Sequence, residues 1–90
     1  MKICFEYENN QIVVSRGIMS SELYVNSKLC DSCLGFTNNQ LKSIELKTAV
    51  CSNGGNESVV RIYIEPHLIY DVIRFYYSDV LIETRKIDTL

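Results

Sequence analysis

Apolar and polar residues alternate most regularly from Val59 to Glu65, in the densest apolar part of the chain. This period of two is typical of a strand with one buried face. Pro66 follows; proline cannot donate a hydrogen bond to a sheet, but it suits the first turn of a helix. The pattern therefore predicts a strand up to Glu65 and a helix after it.

Residues 67–78 form the second predicted helix when they are placed about 100° apart. One arc is apolar, consisting of Leu68, Ile69, Val72, Ile73, Phe75 and Tyr76. The other arc is polar, consisting of His67, Tyr70, Asp71, Arg74, Tyr77 and Ser78. An extended segment is expected from Val80 to Ile87, where β-branched residues recur. Ile62, Ile64, Val72 and Tyr76 are predicted to form the central core.

The amino-terminal segment 2–16 has the pattern of a β-hairpin. Asparagine tolerates the positive φ angles of a tight type I′ turn. A two-residue turn at Asn9-Asn10 would pair Tyr7 with Ile12 and keep the apolar side chains of both strands on one face.

Residues 20–34 are predicted to form the first helix. Ser20 is a suitable N-cap, and Gly35 a suitable residue after the carboxyl end. Cys30 and Cys33 fall on its apolar arc. The alternative is an extended segment from Glu22 to Asn26, because several residues here have poor helix propensity.

Segment 42–50 alternates again, and Ser52–Asn56 is rich in turn-forming residues. A loop of odd length would pair Leu46 with Ile64 and keep the apolar faces together. The predicted fold class is therefore α+β, in the order β-β-α-β-β-α-β. We expect a mostly antiparallel sheet with two helices packed on one face. Residues 1–90 are expected to form a single globular domain.

The charge distribution argues against a nucleic-acid partner. The net charge is −2, and the nine basic residues are scattered, so no basic patch is visible for contacting phosphates. We also expect no membrane contact, because no stretch approaches the length of a membrane span. The first residues do not form the apolar core of a signal peptide, and the four cysteines suit a reducing compartment. The expected location is the cytoplasm.

Cys30 and Cys33 form the sharpest chemical motif, a CxxC pair. A redox pair normally opens a helix, whereas this pair lies near the end of the predicted one. A zinc site normally uses two close pairs, but Cys4 and Cys51 are far apart in sequence. We therefore interpret the pair as apolar core residues. No catalytic residue, metal ligand or cofactor is predicted.

The polar arc of the second helix is the predicted partner-binding site. Tyrosine and arginine are enriched at binding hot spots because they combine contact area with hydrogen bonds. The predicted site residues are Tyr70, Arg74, Tyr77, His67, Asp71 and Tyr63. Acidic residues nearby would attract a basic partner such as a nuclease; they are Asp71, Glu65, Asp79 and Glu83.

The sequence therefore predicts a small intracellular inhibitor rather than an enzyme. An immunity protein, an antitoxin or a phage anti-defence protein would act in this way, by covering a protein partner such as a toxin or nuclease. The alternative is a thiol-based redox protein or structural zinc protein that uses Cys30 and Cys33. A homo-oligomer formed through a free edge strand also stays open.

Overall fold

A computed structural model of the protein describes residues 1–17, 20–34, 43–51 and 55–88. These residues form an all-β fold of eight antiparallel strands in two four-stranded sheets. The strands are β1 (Lys2–Tyr7), β2 (Asn10–Arg16), β3 (Ser20–Val25), β4 (Lys28–Leu34), β5 (Ile44–Cys51), β6 (Glu57–Pro66), β7 (Tyr70–Tyr77) and β8 (Val80–Asp88). The first sheet has the order β1-β2-β3-β4, and the second has the order β5-β6-β7-β8.

The predicted α+β fold is wrong, because neither predicted helix is present. Residues 20–34 form the β3–β4 hairpin instead of the first helix. The extended alternative for Glu22–Asn26 was closer, since β3 covers most of it. Residues 70–77 form β7 instead of the second helix. Gly35, the expected end of the first helix, lies outside the described residues.

The pattern of burial in β7 explains why it is a strand. Asp71, Ile73, Phe75 and Tyr77 are buried, and the residues between them are only half-buried. This is a period of two, whereas the helical wheel had joined residues from both sides of the strand into one apolar arc. Aromatic and β-branched side chains dominate the segment and fit a pleated surface better than a helix.

Three hairpins of the fold close through two-residue turns. The turn residues are Glu8-Asn9, Asn26-Ser27 and Ser78-Asp79, and all six have φ between 50° and 70°. Positive φ at both central positions defines a type I′ turn, whose twist matches that of the strands it joins. Two of these turns lie inside or at the end of the predicted helices, which they exclude.

The two predicted hairpins, β1–β2 and β5–β6, are present, but the register of each differs from the prediction by two residues. Ile12 pairs with Phe5 instead of Tyr7. Leu46 pairs with Ile62 instead of Ile64. A shift of two residues leaves every side chain on its predicted face, so the apolar faces still coincide. Part of the predicted turn at Ser52–Asn56 lies outside the described residues.

The core lies between the inner faces of the two sheets. The Phe5 ring contacts the Phe75 ring with centroids 5.0 Å apart, and the Tyr7 ring contacts the Tyr77 ring at 4.7 Å. The buried apolar residues are Ile3, Phe5, Ile12, Val14, Leu23, Val25, Leu46, Val50, Val60, Ile62, Ile64, Ile73, Phe75 and Tyr77. The predicted core positions of Ile62 and Ile64 are confirmed.

Val72 and Tyr76 were also predicted as core residues, and this is wrong. Both are half-buried and lie on the outer face of β7, between its inward-facing residues. Tyr76 therefore belongs to the surface on which the candidate site lies.

Side-chain contacts also join the edge strands of the two sheets on each side of the core. On one side, the backbone amide of Lys47 in β5 donates to the carboxylate of Asp31 in β4 at 2.8 Å. On the other, the Arg85 guanidinium of β8 lies 4.4 Å above the Phe5 ring of β1. No helix long and apolar enough for a membrane crossing occurs in the part of the chain that the structure describes.

Candidate functional site

The outer face of the second sheet carries a group of aromatic and charged side chains, which we call the Tyr/Arg face. It consists of Arg61, Tyr63, Glu65, Tyr70, Arg74 and Tyr76. The strand register places these residues side by side: Arg61 pairs with Tyr76, and Tyr63 pairs with Arg74. Buried and partly exposed residues alternate along β6 and β7, and these six residues stand at the partly exposed positions. The residues that alternate with them along each strand face the core.

Two tyrosine rings form the centre of the Tyr/Arg face. The Tyr63 and Tyr76 rings meet edge to face, with centroids 5.3 Å apart. A hydrogen bond with the Glu45 carboxylate raises the pKa of Tyr63 above its ordinary value. The Tyr63 hydroxyl donates this hydrogen bond, and the neighbouring carboxylate disfavours the phenolate.

Charged groups order the other half of the face. The Glu65 carboxylate accepts a hydrogen bond from Arg74 at 3.1 Å and lies 2.8 Å from Nε2 of His67. The His67 and Arg74 contacts together lower the pKa of Glu65 from its ordinary value. The carboxylate therefore holds an arginine from β7 and the histidine that follows β6 in fixed positions.

Tyr70 is enclosed by two basic side chains at the end of the sheet. The His67 ring stacks on the Tyr70 ring, with centroids 4.4 Å apart and an interplanar angle of 19°. The Lys86 ammonium lies 4.3 Å from the centroid of the same ring. These contacts restrict the Tyr70 ring without burying it.

A shallow groove of about 420 Å³ runs across the Tyr/Arg face. Its lining residues are Ser43, Arg61, Tyr63, Glu65, Arg74, Tyr76 and Asp79. Arg61 contacts the Asp79 carboxylate at 3.5 Å. The groove is open to solvent and presents rings, guanidinium groups and carboxylates along one surface, which suits contact with another macromolecule.

Four of the predicted partner-binding residues come together on this surface: Tyr63, His67, Tyr70 and Arg74. The predicted exposed positions of Tyr77 and Asp71 are wrong, because both are buried on the inner face of β7. Whether the surface binds a partner stays a prediction.

Sequence reasoning missed Tyr76 and Arg61 as members of the surface. Tyr76 was assigned to the core because a helical period groups it with Val72. A period of two counted from Tyr70 would have placed Val72, Arg74 and Tyr76 on the same outward face. Arg61 would have followed from its position beside Tyr63 on the polar side of the first predicted strand.

The acidic residues that were expected to attract a basic partner are all paired within the protein. Glu65 contacts Arg74 and His67, and Asp79 contacts Arg61. The other two pairs are Asp71 with Arg16 and Glu83 with Arg85. The four carboxylates thus do not form a separate acidic patch, and electrostatic attraction of a basic partner loses its structural support.

All four thiols are free. Cys30 and Cys33 lie on β4, not on a helix, and both are partly buried against the core. Cys4 and Cys51 are exposed. In residues 1–17, 20–34, 43–51 and 55–88, no group of three or more His, Cys, Asp or Glu side chains is placed to hold a metal ion.

No family model, curated protein or solved structure matches this chain. The function is therefore inferred from the geometry of the Tyr/Arg face.

Proposed function

We propose that the protein is a small inhibitor that binds a protein partner through the Tyr/Arg face. The observation that carries this proposal is the arrangement of three tyrosines and two arginines on outward positions of β6 and β7, with Arg61 opposite Tyr76, Tyr63 opposite Arg74, and Tyr70 at the end of the same face. These two residue types supply most of the strong contacts in protein interfaces, because each brings large area together with hydrogen-bond donors.

The apolar core is formed by residues of the inner faces and not by this face. A solvated sheet face is stable with ordinary polar residues, since only the inner face contributes to the core. Tyr63, Tyr70 and Tyr76 nevertheless occupy outward positions. The Tyr63–Tyr76 contact contributes to the stability of the sheet, and the three rings also give this face the exposed aromatic area that is typical of protein interfaces.

The ordering of the side chains also supports binding. Glu65 fixes Arg74 and His67, and the rings of His67 and Tyr70 stack. Side chains that are already restricted lose less conformational entropy when they enter an interface. These side chains are therefore already restricted in the unbound protein.

The partner class that we propose to test first is a toxin whose active site the protein would cover. A nuclease is one such toxin, but the paired carboxylates give no reason to prefer a basic partner. An immunity protein, an antitoxin or a phage anti-defence protein would act in this way, without a cofactor and without chemistry of its own. We place this action in the cytoplasm, where the free thiols would be maintained.

The double variant Tyr70→Ala/Arg74→Ala tests the proposal. The protein that co-purifies with the parent chain from its native host is identified by mass spectrometry and titrated against both forms by calorimetry. We expect at least about 30-fold weaker binding, equivalent to about 2 kcal/mol, if one of the pair is a hot spot. Far-ultraviolet circular dichroism and cooperative thermal unfolding check that the fold is retained.

The matched control is Glu22→Ala/Tyr24→Ala. Both side chains alternate with the buried residues of β3 and therefore lie on the outer face of the first sheet. This control should bind as tightly as the parent. Equal binding by the parent and the folded Tyr70→Ala/Arg74→Ala variant would show that the Tyr/Arg face is not the interface.

A further inference from the structure

We propose that the loop joining β6 to β7 inserts an apolar tip, Leu68-Ile69, into an apolar pocket of the protein partner. This inference rests on the proposed function, because the tip adjoins His67 and Tyr70 at the end of the Tyr/Arg face. It adds an anchor of defined chemistry to that face: a leucine side chain that enters a pocket on the partner.

Leu68 is the most exposed large apolar residue in the described part of the chain, followed by Leu34 and Val80. The Leu68 residue is 87% exposed and Ile69 is 53% exposed. Burying such a side chain fully is worth roughly 1.5–3 kcal/mol, and folding leaves nearly all of this unused at Leu68. The two-residue turns at the opposite end of the molecule, Glu8-Asn9, Asn26-Ser27 and Ser78-Asp79, contain only polar residues, and the exposed Val80 and Leu81 there belong to β8 and not to the turn.

The tip is held in place by its base. The His67 backbone amide donates to the Tyr70 carbonyl at 2.8 Å, closing the loop. The His67 side chain is fixed by the Glu65 carboxylate on one side and by the Tyr70 ring on the other. The loop that carries the two aliphatic side chains is thus tied at its base, which lowers the entropic cost of ordering its backbone in an interface.

The surroundings of the tip favour a protein pocket over a lipid surface. Arg74 and Lys86 contribute two positive charges, and Glu65 and Asp88 contribute two negative charges. An apolar centre with a balanced polar rim is the usual anatomy of a protein interface. Attachment to an anionic membrane would instead require a basic rim and more apolar area than two side chains provide.

A second copy of the chain is a poor occupant for the same tip. A stable dimer buries about 800 Å² on each partner. Two tips meeting end to end would bury far less than this, because each loop contributes only Leu68 and Ile69. The groove on the Tyr/Arg face of a second copy is lined mainly by charged and tyrosine side chains and does not suit Leu68, whereas a partner with an apolar pocket can surround this side chain.

Site-specific photocrosslinking tests this inference. The probe is the protein carrying p-benzoylphenylalanine in place of Leu68, produced in its native host and irradiated there. The control carries the same group in place of Val80, which is 59% exposed beside the Ser78-Asp79 turn at the opposite end. The expected result is a crosslink from position 68 to apolar residues that line a pocket of one protein, with no such crosslink from position 80.

Titration of that crosslinked protein then supplies the quantitative test. Leu68→Ser should weaken binding at least tenfold, while Leu68→Met, which keeps an apolar side chain, should stay within about threefold. Val80→Ser should bind like the parent. Unchanged binding by Leu68→Ser overturns the inference, as does a crosslink from position 68 to lipid or to a second copy of the chain.

The two proposals fail in different ways. If Tyr70→Ala/Arg74→Ala weakens binding but Leu68→Ser does not, the Tyr/Arg face is the interface and the tip is only a surface loop. If neither set of changes affects binding, the proposed function of this face is wrong.

Discussion

Arg16 and Asp71 join the two sheets by an ion pair across 55 residues of sequence. Nε of Arg16, at the end of β2, donates to the Asp71 carboxylate of β7 at 3.0 Å. The same guanidinium donates to the Ser21 hydroxyl of β3 at 3.1 Å. The side chain of Asp71 is only 4% exposed, so its charge depends on Arg16 for compensation.

We predict that Asp71→Ala destabilises the fold more than any loss of surface charge would. Removing one partner of a buried ion pair costs about 3–5 kcal/mol, and we expect the lower end, because the Arg16 side chain is 21% exposed and can turn toward water. Urea unfolding measures the change. The double variant Arg16→Met/Asp71→Ala should recover part of the loss, since neither charge is then left unpaired.

A loss below about 1 kcal/mol for Asp71→Ala would contradict this assignment, because typical exposed ion pairs contribute that little. It would mean that the ion pair is solvated and does not join the sheets.

Ile62 and Val72 should differ sharply, although both were predicted as core residues. Ile62 is completely buried, whereas Val72 lies on the outer face. We expect Ile62→Ala to cost about 2–5 kcal/mol in unfolding free energy. Val72→Ala should cost less than about 1 kcal/mol, because it leaves no closed cavity. Chemical denaturation of both variants makes the comparison, and equal losses would mean that β7 does not have the orientation described.

The four thiols should react with Ellman's reagent in two groups. Cys4 and Cys51 are exposed and should react first, whereas Cys30 and Cys33 are partly buried against the core and should react more slowly. Single cysteine-to-serine variants assign each phase. Rapid reaction of Cys30 and Cys33 in the native protein, or zinc bound in stoichiometric amount, would instead support the alternative thiol or metal function.

Glu65 should contribute to stability in a pH-dependent way. Its contacts with His67 and Arg74 lower its pKa below the ordinary 4.5, so the folded state binds the proton more weakly than the unfolded state does. The contribution is therefore present above the ordinary pKa and is lost as the pH falls through the lowered value. Carbon-13 NMR titration of the Glu65 carboxyl measures this, and Arg74→Ala should raise the pKa. A value at or above 4.5 in the parent would contradict the geometry.

The sequence allowed the faces of the strands to be predicted better than their pairing. Ile12 and Leu46 both point inward as expected. Each, however, pairs with a residue two positions away from its predicted partner. Alternation fixes which side of a strand is apolar, and a shift by two residues leaves that side unchanged. The actual turn at Glu8-Asn9, one residue earlier than predicted, decides the register, and glutamate is a weak signal for positive φ.

The helices were predicted wrongly because short apolar segments fit both periods. In residues 67–78, a wheel collects Val72 and Ile73 on one arc, although these neighbours face opposite sides of a strand. Asn26-Ser27 and Ser78-Asp79 are turn-forming residues, and Ser78-Asp79 stands between Tyr77 and Val80, which both have high β propensity.

Tyr70 and Arg74 share one face in the predicted helix and also in the observed strand, for a geometric reason. Tyr70 and Arg74 are four residues apart, and this spacing places them on one side of a helix and also on one side of a strand. Tyr77 is seven residues from Tyr70. That spacing keeps them together on a helix but puts them on opposite faces of a strand, so Tyr77 is buried instead.

The tyrosine rings provide the most direct test of the central claim, that the Tyr/Arg face binds a protein. Tyr63, Tyr70 and Tyr76 lie on that face, Tyr24 lies on the outer face of the first sheet, and Tyr7 and Tyr77 contact each other in the interior. The measurement is NMR cross-saturation from the co-purified partner to ¹³C-labelled tyrosine rings. We predict strong attenuation at Tyr63, Tyr70 and Tyr76 and little at the other three. Attenuation of Tyr24, with the three rings of the Tyr/Arg face unaffected, would contradict the claim.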